Sequence, residues 1–381
     1  MGTEHLVTGA TGFVGGALVL QLLERTSDVI RCGVRGHGAQ GQARLVASLE
    51  HAARAYDVAH LIPEIAKRCA AFFLDLEQEP QLDALPRPAG DRIFWHAAAS
   101  LRYEDKHREQ IFRDNVDGTR RVLALARAAE CKRFNYVSTA YVVGKQTGFI
   151  PETLPQGEIQ ASNVYEVSKV EAERLVWSTP DLETRILRPS IVIGHSRTLA
   201  ATSFTGLYGF LREVRLFERK VENRLGKILT MRPLSVIVQS PAPINFIPVD
   251  AVARDAAVVG LADTDLRIFH LTNDAAPAVG ETLDHLFDEF KLPRPRHVDS
   301  PKAFTSIDQT LHDHLEFYSS YMNSDKQFAR ANTDSLVGAG SGRWPLSMPT
   351  MREIARWYLD YLIQEAAGRK KRASAVAGGV A

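Results

Sequence analysis

Tyr165 and Lys169 stand four residues apart in Val164 to Val176, a stretch with helical periodicity, which puts both side chains on one face a turn apart. An ammonium beside a phenol favours the phenolate, so this pair is suited to proton transfer as a general acid and base. A third polar group is expected from Ser138-Thr139, directly after the β-rich run Arg133 to Val137. One hydroxyl there would hold a substrate oxygen while Tyr165 gives or takes its proton. His195 is a further acid/base candidate, since an imidazole titrates near neutrality. It is read as a loop residue because Tyr165 already fills that role.

A second constellation opens the chain, where Thr8-Gly9-Ala10-Thr11-Gly12-Phe13-Val14-Gly15 joins the apolar run Leu6 to Thr8 to a helical pattern over Gly15 to Glu24. Glycines allow the tight turn and let backbone N–H groups reach a pyrophosphate, whose charge the positive end of the helix favours. Gly9, Thr11, Gly12, Phe13, Val14 and Gly15 are therefore the candidate phosphate cradle of a dinucleotide. The end of the second strand selects the nucleotide, because an acid there binds a ribose 2′-hydroxyl and a base accommodates a 2′-phosphate. Arg35 stands at that point, Arg44 follows at the next helix, and no acid occurs between Asp28 and Glu50. NADPH is the expected cofactor. Asp75 and Leu76, after the third strand, are candidates for the adenine edge, with a simple turn as the alternative role of Asp75.

These residues need elements to place them. Strands are expected at Leu6 to Thr8, Val29 to Val34, Ala71 to Leu74, Arg92 to His96, Arg133 to Val137 and Thr184 to Leu187. Helical patterns lie between them at Gly15 to Glu24, Leu45 to Ala66, Ile111 to Ala129 and Val164 to Val176. The alternation specifies an α/β fold, a Rossmann-type doubly wound parallel sheet. Residues 1–195 read as the dinucleotide-binding domain, with strands returning at about 244–275. Residues 196–243 and 276–367 read as a smaller, mostly helical C-terminal substrate domain, and 368–381 as a flexible basic tail.

The motifs Thr8 to Gly15, Asn115-Val-Asp-Gly-Thr119, Val137-Ser-Thr-Ala-Tyr141 and Asn163-Val-Tyr-Glu-Val-Ser-Lys169 resemble those of the extended short-chain dehydrogenases/reductases. Arg188-Pro-Ser-Ile-Val-Ile-Gly194 looks most like the thioester reductases and fatty acyl-CoA reductases within that group. The resemblance covers about the first half of the chain. It implies a catalytic triad of Thr139, Tyr165 and Lys169, with Ser138 beside it. It also implies that Ala97, Ala98, Ala99 and Asn115 contact the cofactor and that Pro189, Ser190 and Ile191 line the nicotinamide. His96-Ala97-Ala98-Ala99 replaces a segment that often carries Asn and Gly in the family, and His195 stands where an acid is expected in thioester reductases.

The expected activity is NADPH-dependent reduction of a carbonyl or an activated acyl group. A thioester would arrive on coenzyme A or a separate carrier protein. Alternatives are a ketone or hydroxyl oxidoreductase acting on a lipid-like or polycyclic molecule, a sugar-nucleotide epimerase or dehydratase, and a non-catalytic NADP(H)-sensing protein. Forty-six basic residues almost balance 45 acidic ones, so no net field gathers nucleic acid. Cys32, Cys69 and Cys131 lack metal-ligand spacing, no metal is expected, and three scattered thiols suit a reducing, cytoplasmic setting. No apolar run is long enough to span a bilayer. Either a monomer or a homodimer is compatible with the sequence.

Overall fold

The computed structural model of the protein describes residues 2–79, 85, 87 and 90–378. Its main sheet has seven strands, all parallel, in the spatial order Ile268–Leu271, Glu183–Pro189, Arg133–Val137, Arg92–His96, Glu4–Thr8, Val29–Val34, Cys69–Phe73. Both central strands Arg92–His96 and Arg133–Val137 are buried along their whole length, as parallel strands covered on two faces must be. The strand order reverses beside Glu4–Thr8, between its neighbours Arg92–His96 and Val29–Val34. Ligands of open parallel sheets bind in the crevice beyond the strand ends at such a reversal. Both the glycine run after Thr8 and the alanine run after His96 lie there.

Helices cover both faces. Leu18, Val19 and Leu22 of Phe13–Arg25 share one core cluster with Val252, Ala256 and Val259 of Val249–Leu261. Val122 and Leu125 of Gly118–Ala128 share the opposite cluster with Ala172 and Val176 of Val164–Trp177. Each fully buried aliphatic side chain contributes about 1.5–3 kcal/mol by leaving water.

Several elements differ from the sequence expectation. The helix expected over Leu45 to Ala66 is two, Gly38–Ala55 and Ile62–Arg68. They part where Asp57 takes a positive φ of 58° that ends the first. The helix expected from Ile111 starts at Arg108 and contains a π-helical turn, Arg113–Asp117, before Gly118–Ala128. The sixth strand extends through Pro189 although Arg185 and Arg188 interrupt its apolar pattern. Arg188 is matched by the buried carboxylate of Glu173 at 2.9 and 2.7 Å, and Arg185 donates to the carbonyls of Val259 and Ala262.

The chain divides into two units. The first comprises Met1–Ser203, Asn245–Ala275 and Lys326–Trp344; the second comprises Phe204–Ile244, Ala276–Asp325 and Pro345–Ala381. The stretch 326–344 was expected in the substrate domain and instead completes the first unit. Lys326–Phe328 pairs in parallel with Gly148–Ile150. The carboxylate of Glu152 then accepts from Asn332 N at 2.6 Å and Thr333 Oγ1 at 2.7 Å. The second unit is mostly helical, with Leu207–Leu225 packed on Ser306–Met322 and Val279–Glu289 packed on Met348–Gly378. A two-stranded parallel pairing joins Ser235–Ile237 to Arg296–Val298. The flexible tail expected from 368 is helical through Gly378, and 379–381 lie outside the described residues. No described helix is long and apolar enough to cross a membrane.

Candidate active site

Gly9 takes a φ of 75°, and a Cβ there would meet the Ala97 carbonyl carbon and the Ala98 nitrogen at 2.7 Å. A Cβ on Gly15 would come within 2.2 Å of the Gly9 oxygen. Only glycine fits either position, so the turn, the alanine run and the first helix close on one another as a backbone cradle. Gly12 is the extended N-cap of Phe13–Arg25 and makes no side-chain cap bond, nor is there an acidic residue in the first turn. The helix N–H groups therefore face the crevice as donors suited to an anion.

Arg35 is exposed immediately after Val34, and Arg44 donates from Nη1 to the Arg35 carbonyl at 3.1 Å. The Arg44 guanidinium is thus held at the end of the second strand, against the Arg35 backbone. Asp75 follows the strand Cys69–Phe73. Its carboxylate accepts from Glu77 N at 3.1 Å and Gln78 Nε2 at 3.3 Å, which closes a local turn. Leu76 lies against Gly118, and its carbonyl accepts from Arg121 at 2.8 Å.

Asn115 is tied to protein neighbours on both sides. It is buried in the π-helical turn, its Oδ1 accepts from Ser100 N at 2.7 Å, and its Nδ2 donates to Ser100 O at 3.0 Å and Ser168 Oγ at 2.9 Å. Ser168 in turn donates to the Tyr165 carbonyl at 2.7 Å. All the side-chain polar atoms of Asn115 are thus engaged in tying the loop after Ala97-Ala98-Ala99 to the Tyr165 helix. A π turn re-aims one side chain relative to a regular helix, and such turns recur at functional sites.

That helix begins at Val164, capped by Asn163 Oδ1 accepting from Glu166 N at 3.0 Å. Tyr165 and Lys169 follow on one face. Burial, with Glu166 nearby, holds the Tyr165 phenol above its ordinary range. Burial also lowers Lys169 to about 7, against the opposing pull of Glu173. The ammonium donates to Val137 O at 2.8 Å and lies 4.3 Å above the Tyr136 ring. Lysine and phenol share one helix face, and the lysine is anchored to the strand end.

At that strand end, Thr139 caps the turn Ala140–Val143 and its Oγ1 accepts from Tyr141 N at 3.2 Å. Accepting engages a lone pair and leaves the hydroxyl proton free to donate. Ser138 Oγ is buried without a hydrogen-bond partner among the described residues, as is Ser190 Oγ. Pro189 ends the sixth strand, Ser190 N donates to Leu271 O at 3.2 Å, and Ile191 N donates to Asn245 O at 3.1 Å. His195 is buried against Tyr56, their rings stacked at 5.4 Å, and Nδ1 accepts from Arg197 N at 3.3 Å. It organises its own loop.

Sequence reasoning missed the latch made by His96. Its Nδ1 lies 2.7 Å from Thr8 Oγ1 and its Nε2 lies 3.1 Å from Thr119 Oγ1, while burial holds it neutral, near 3. Thr8 Oγ1 also accepts from Ala98 N at 3.3 Å. The only sequence signal was a histidine in place of a small polar residue at the end of a buried strand.

The family model described as male sterility protein, an NAD-binding family, matches residues 7–256. The chain belongs to that family. Its fold is that of the extended short-chain dehydrogenases/reductases, and the family binds NAD(P). Among curated relatives, fatty acyl-CoA reductase 2 of Homo sapiens is 27% identical over 226 residues, covering 50% of this chain and 43% of that protein. The chain thus spans less than half the length of that relative. Two solved structures share the fold. The terminal R domain of the myxalamid PKS-NRPS biosynthetic pathway has a TM-score of 0.68 at 23% identity, covering 96% of this chain and 91% of the other. A thiolation-reductase di-domain from an archaeal non-ribosomal peptide synthetase has a TM-score of 0.73 at 19% identity, covering 95% and 76%.

Proposed function

We propose that this chain is an NADPH-dependent reductase of an activated acyl group, a thioester carried on coenzyme A or a carrier protein. The observation that carries the reading is the continuous framework from Gly9 through Ala97-Ala98 and Ser100 to Asn115, Ser168 and Tyr165. It links the glycine turn to the helix that carries Tyr165. The fatty acyl-CoA reductase relative and the two reductase-domain structures support the substrate class.

The residues fit the cofactor: a cradle that tolerates no Cβ, open helix N–H groups, and Arg35 with Arg44 where a 2′-phosphate would sit. When bound, the nicotinamide supplies the hydride. Thr139 donates its free hydroxyl proton to the substrate carbonyl oxygen and orients it. Tyr165 gives that oxygen its proton, and Lys169, fixed on the Val137 carbonyl, stabilises the phenolate left behind. The resulting hemithioacetal expels the thiol and leaves an aldehyde. A phenol held above its ordinary range stays protonated at neutral pH and is ready to act as the acid.

The test is NADPH oxidation by the purified full chain with a panel of acyl thioesters, aldehydes and polycyclic ketones. Thioester-dependent oxidation is expected, and Tyr165→Phe should lower kcat by about 10²–10⁴-fold while NADPH affinity is unchanged. A Tyr165→Phe protein that turns over normally refutes the mechanism. Oxidation with ketones alone moves the chain to a ketoreductase.

A further inference from the structure

The second unit carries a groove of about 420 Å³ between Leu207–Leu225 and Met348–Gly378. Phe204 and Tyr361 line it with their rings 4.5 Å apart, and Leu216 and Ile363 line it while remaining 47% and 54% exposed. Apolar surface of this kind, left in water inside a concave site, marks an interaction surface.

The polar part of the lining is cationic. Arg212, Arg215 and Arg219 repeat along one side of the helix, and Glu365 is the acidic residue of the lining. Arg215 is neutralised by Glu218. Arg212 lies 3.6 Å from Glu213 with half of its side chain in water, and Arg219 has no ion pair among the described residues. Leu207–Leu225 as a whole bears five basic and three acidic side chains. Spacing by three and four residues puts Arg212, Leu216 and Arg219 on one face, so charges flank an apolar centre. An amphipathic helix with acidic residues flanking an apolar stripe is complementary to that pattern. A flat lipid surface would leave the concavity of about 420 Å³ unfilled.

We propose that this groove docks the acidic helix of a separate carrier protein that presents the acyl thioester. The proposal rests on the thioester reading above and assigns the presenting partner to a surface of the second unit. Arg212 and Arg219 steer and hold the acidic residues, and Leu216 with Ile363 buries the apolar stripe.

The experiment compares wild type with Arg212→Glu/Arg219→Glu on an octanoyl thioester presented on a stand-alone acyl carrier protein, on coenzyme A and on N-acetylcysteamine. Both substituted residues are exposed, and unchanged circular dichroism and NADPH affinity verify the fold. The KM for the carrier-borne thioester should rise by about tenfold or more with kcat kept. KM for the N-acetylcysteamine thioester should be unchanged, and the carrier-specific effect should shrink as salt rises. Leu216→Ser should raise the same KM without the salt dependence. Fluorescence anisotropy of labelled carrier protein, read without turnover, keeps docking separate from catalysis. Carrier binding that weakens in the variant while no thioester is reduced upholds the docking surface and sinks the reductase reading. Wild-type protein that does not bind the carrier overturns the proposal. So does a KM rise confined to coenzyme A thioester, which makes the arginines a phosphate site. Loss of binding to vesicles containing anionic lipid, with carrier kinetics unaltered, also overturns it in favour of a membrane surface.

Discussion

Replacing Asn115 by alanine separates a structural latch from a cofactor ligand. The side chain makes three hydrogen bonds, at 2.7, 3.0 and 2.9 Å, and is 2% exposed. Alanine would leave the Ser100 N–H, the Ser100 carbonyl and the Ser168 hydroxyl to find other partners. At about 1 kcal/mol net for each bond, the cost is about 3 kcal/mol. For a folded body of this size that is roughly 6–12 °C in thermal midpoint. Turnover should fall by about tenfold, because Ser168 no longer holds the first turn of the Tyr165 helix in place. Scanning calorimetry, paired with NADPH titration and steady-state rates, reads all three. Ser168→Ala should cost about 1 kcal/mol alone and add little on top of Asn115→Ala, as expected of one network. An Asn115→Ala protein melting within about 2 °C of wild type, with NADPH affinity as its main loss, refutes the latch and restores Asn115 as a cofactor ligand.

Lys169 sets a pH dependence of the cofactor-free chain. Its folded value of about 7 is lower than an unfolded lysine near 10.4, so the unfolded chain binds more protons between these values and stability rises with pH there. Melting midpoints should climb from pH 7 to about 8.5, a range below the thiols that burial holds up. Lys169→Met should flatten that slope, and an unaltered slope contradicts the burial argument. At the other end of the crevice, Arg35→Glu should weaken NADPH by about tenfold to a hundredfold and leave NADH nearly unchanged in parallel fluorescence titrations. Equal losses for both nucleotides would remove Arg35 from the 2′-phosphate.

The sheet was legible because parallel strands buried on both faces leave apolar runs, and Leu6 to Thr8 or Phe134 to Val137 need no tertiary information to be read. The glycine cradle was legible for a similar reason, since Gly9 and Gly15 answer to backbone approach alone. Asp75 and Asn115 show where such reading stops. Both types suit a ligand or a turn equally well, and their partners Gln78, Ser100 and Ser168 cannot be read from the sequence. The π-helical turn that aims Asn115 has no periodic signature in five residues. Only the end of helix Met348–Gly378, from residue 368, was expected as a tail, because its run of charges obscures the period. The residues 326–344 were misplaced because the pairing with Gly148–Ile150 spans a sequence separation no local pattern encodes.

The interleaving of the two units has a consequence for how the protein is made. The first unit is complete only with residues 326–344, while 204–244 and 276–325 belong to the other. A ribosome that has released Ser203 must therefore translate the intervening stretch before the pairing partner of Gly148–Ile150 appears. At about 5–20 residues per second, that delay is roughly 6 to 24 seconds. Through that interval the nascent cofactor-binding unit lacks its closing strand and the partners of Glu152. It is then exposed to chaperones and proteases, and the two units cannot be expected to fold one after the other in the order they are synthesised.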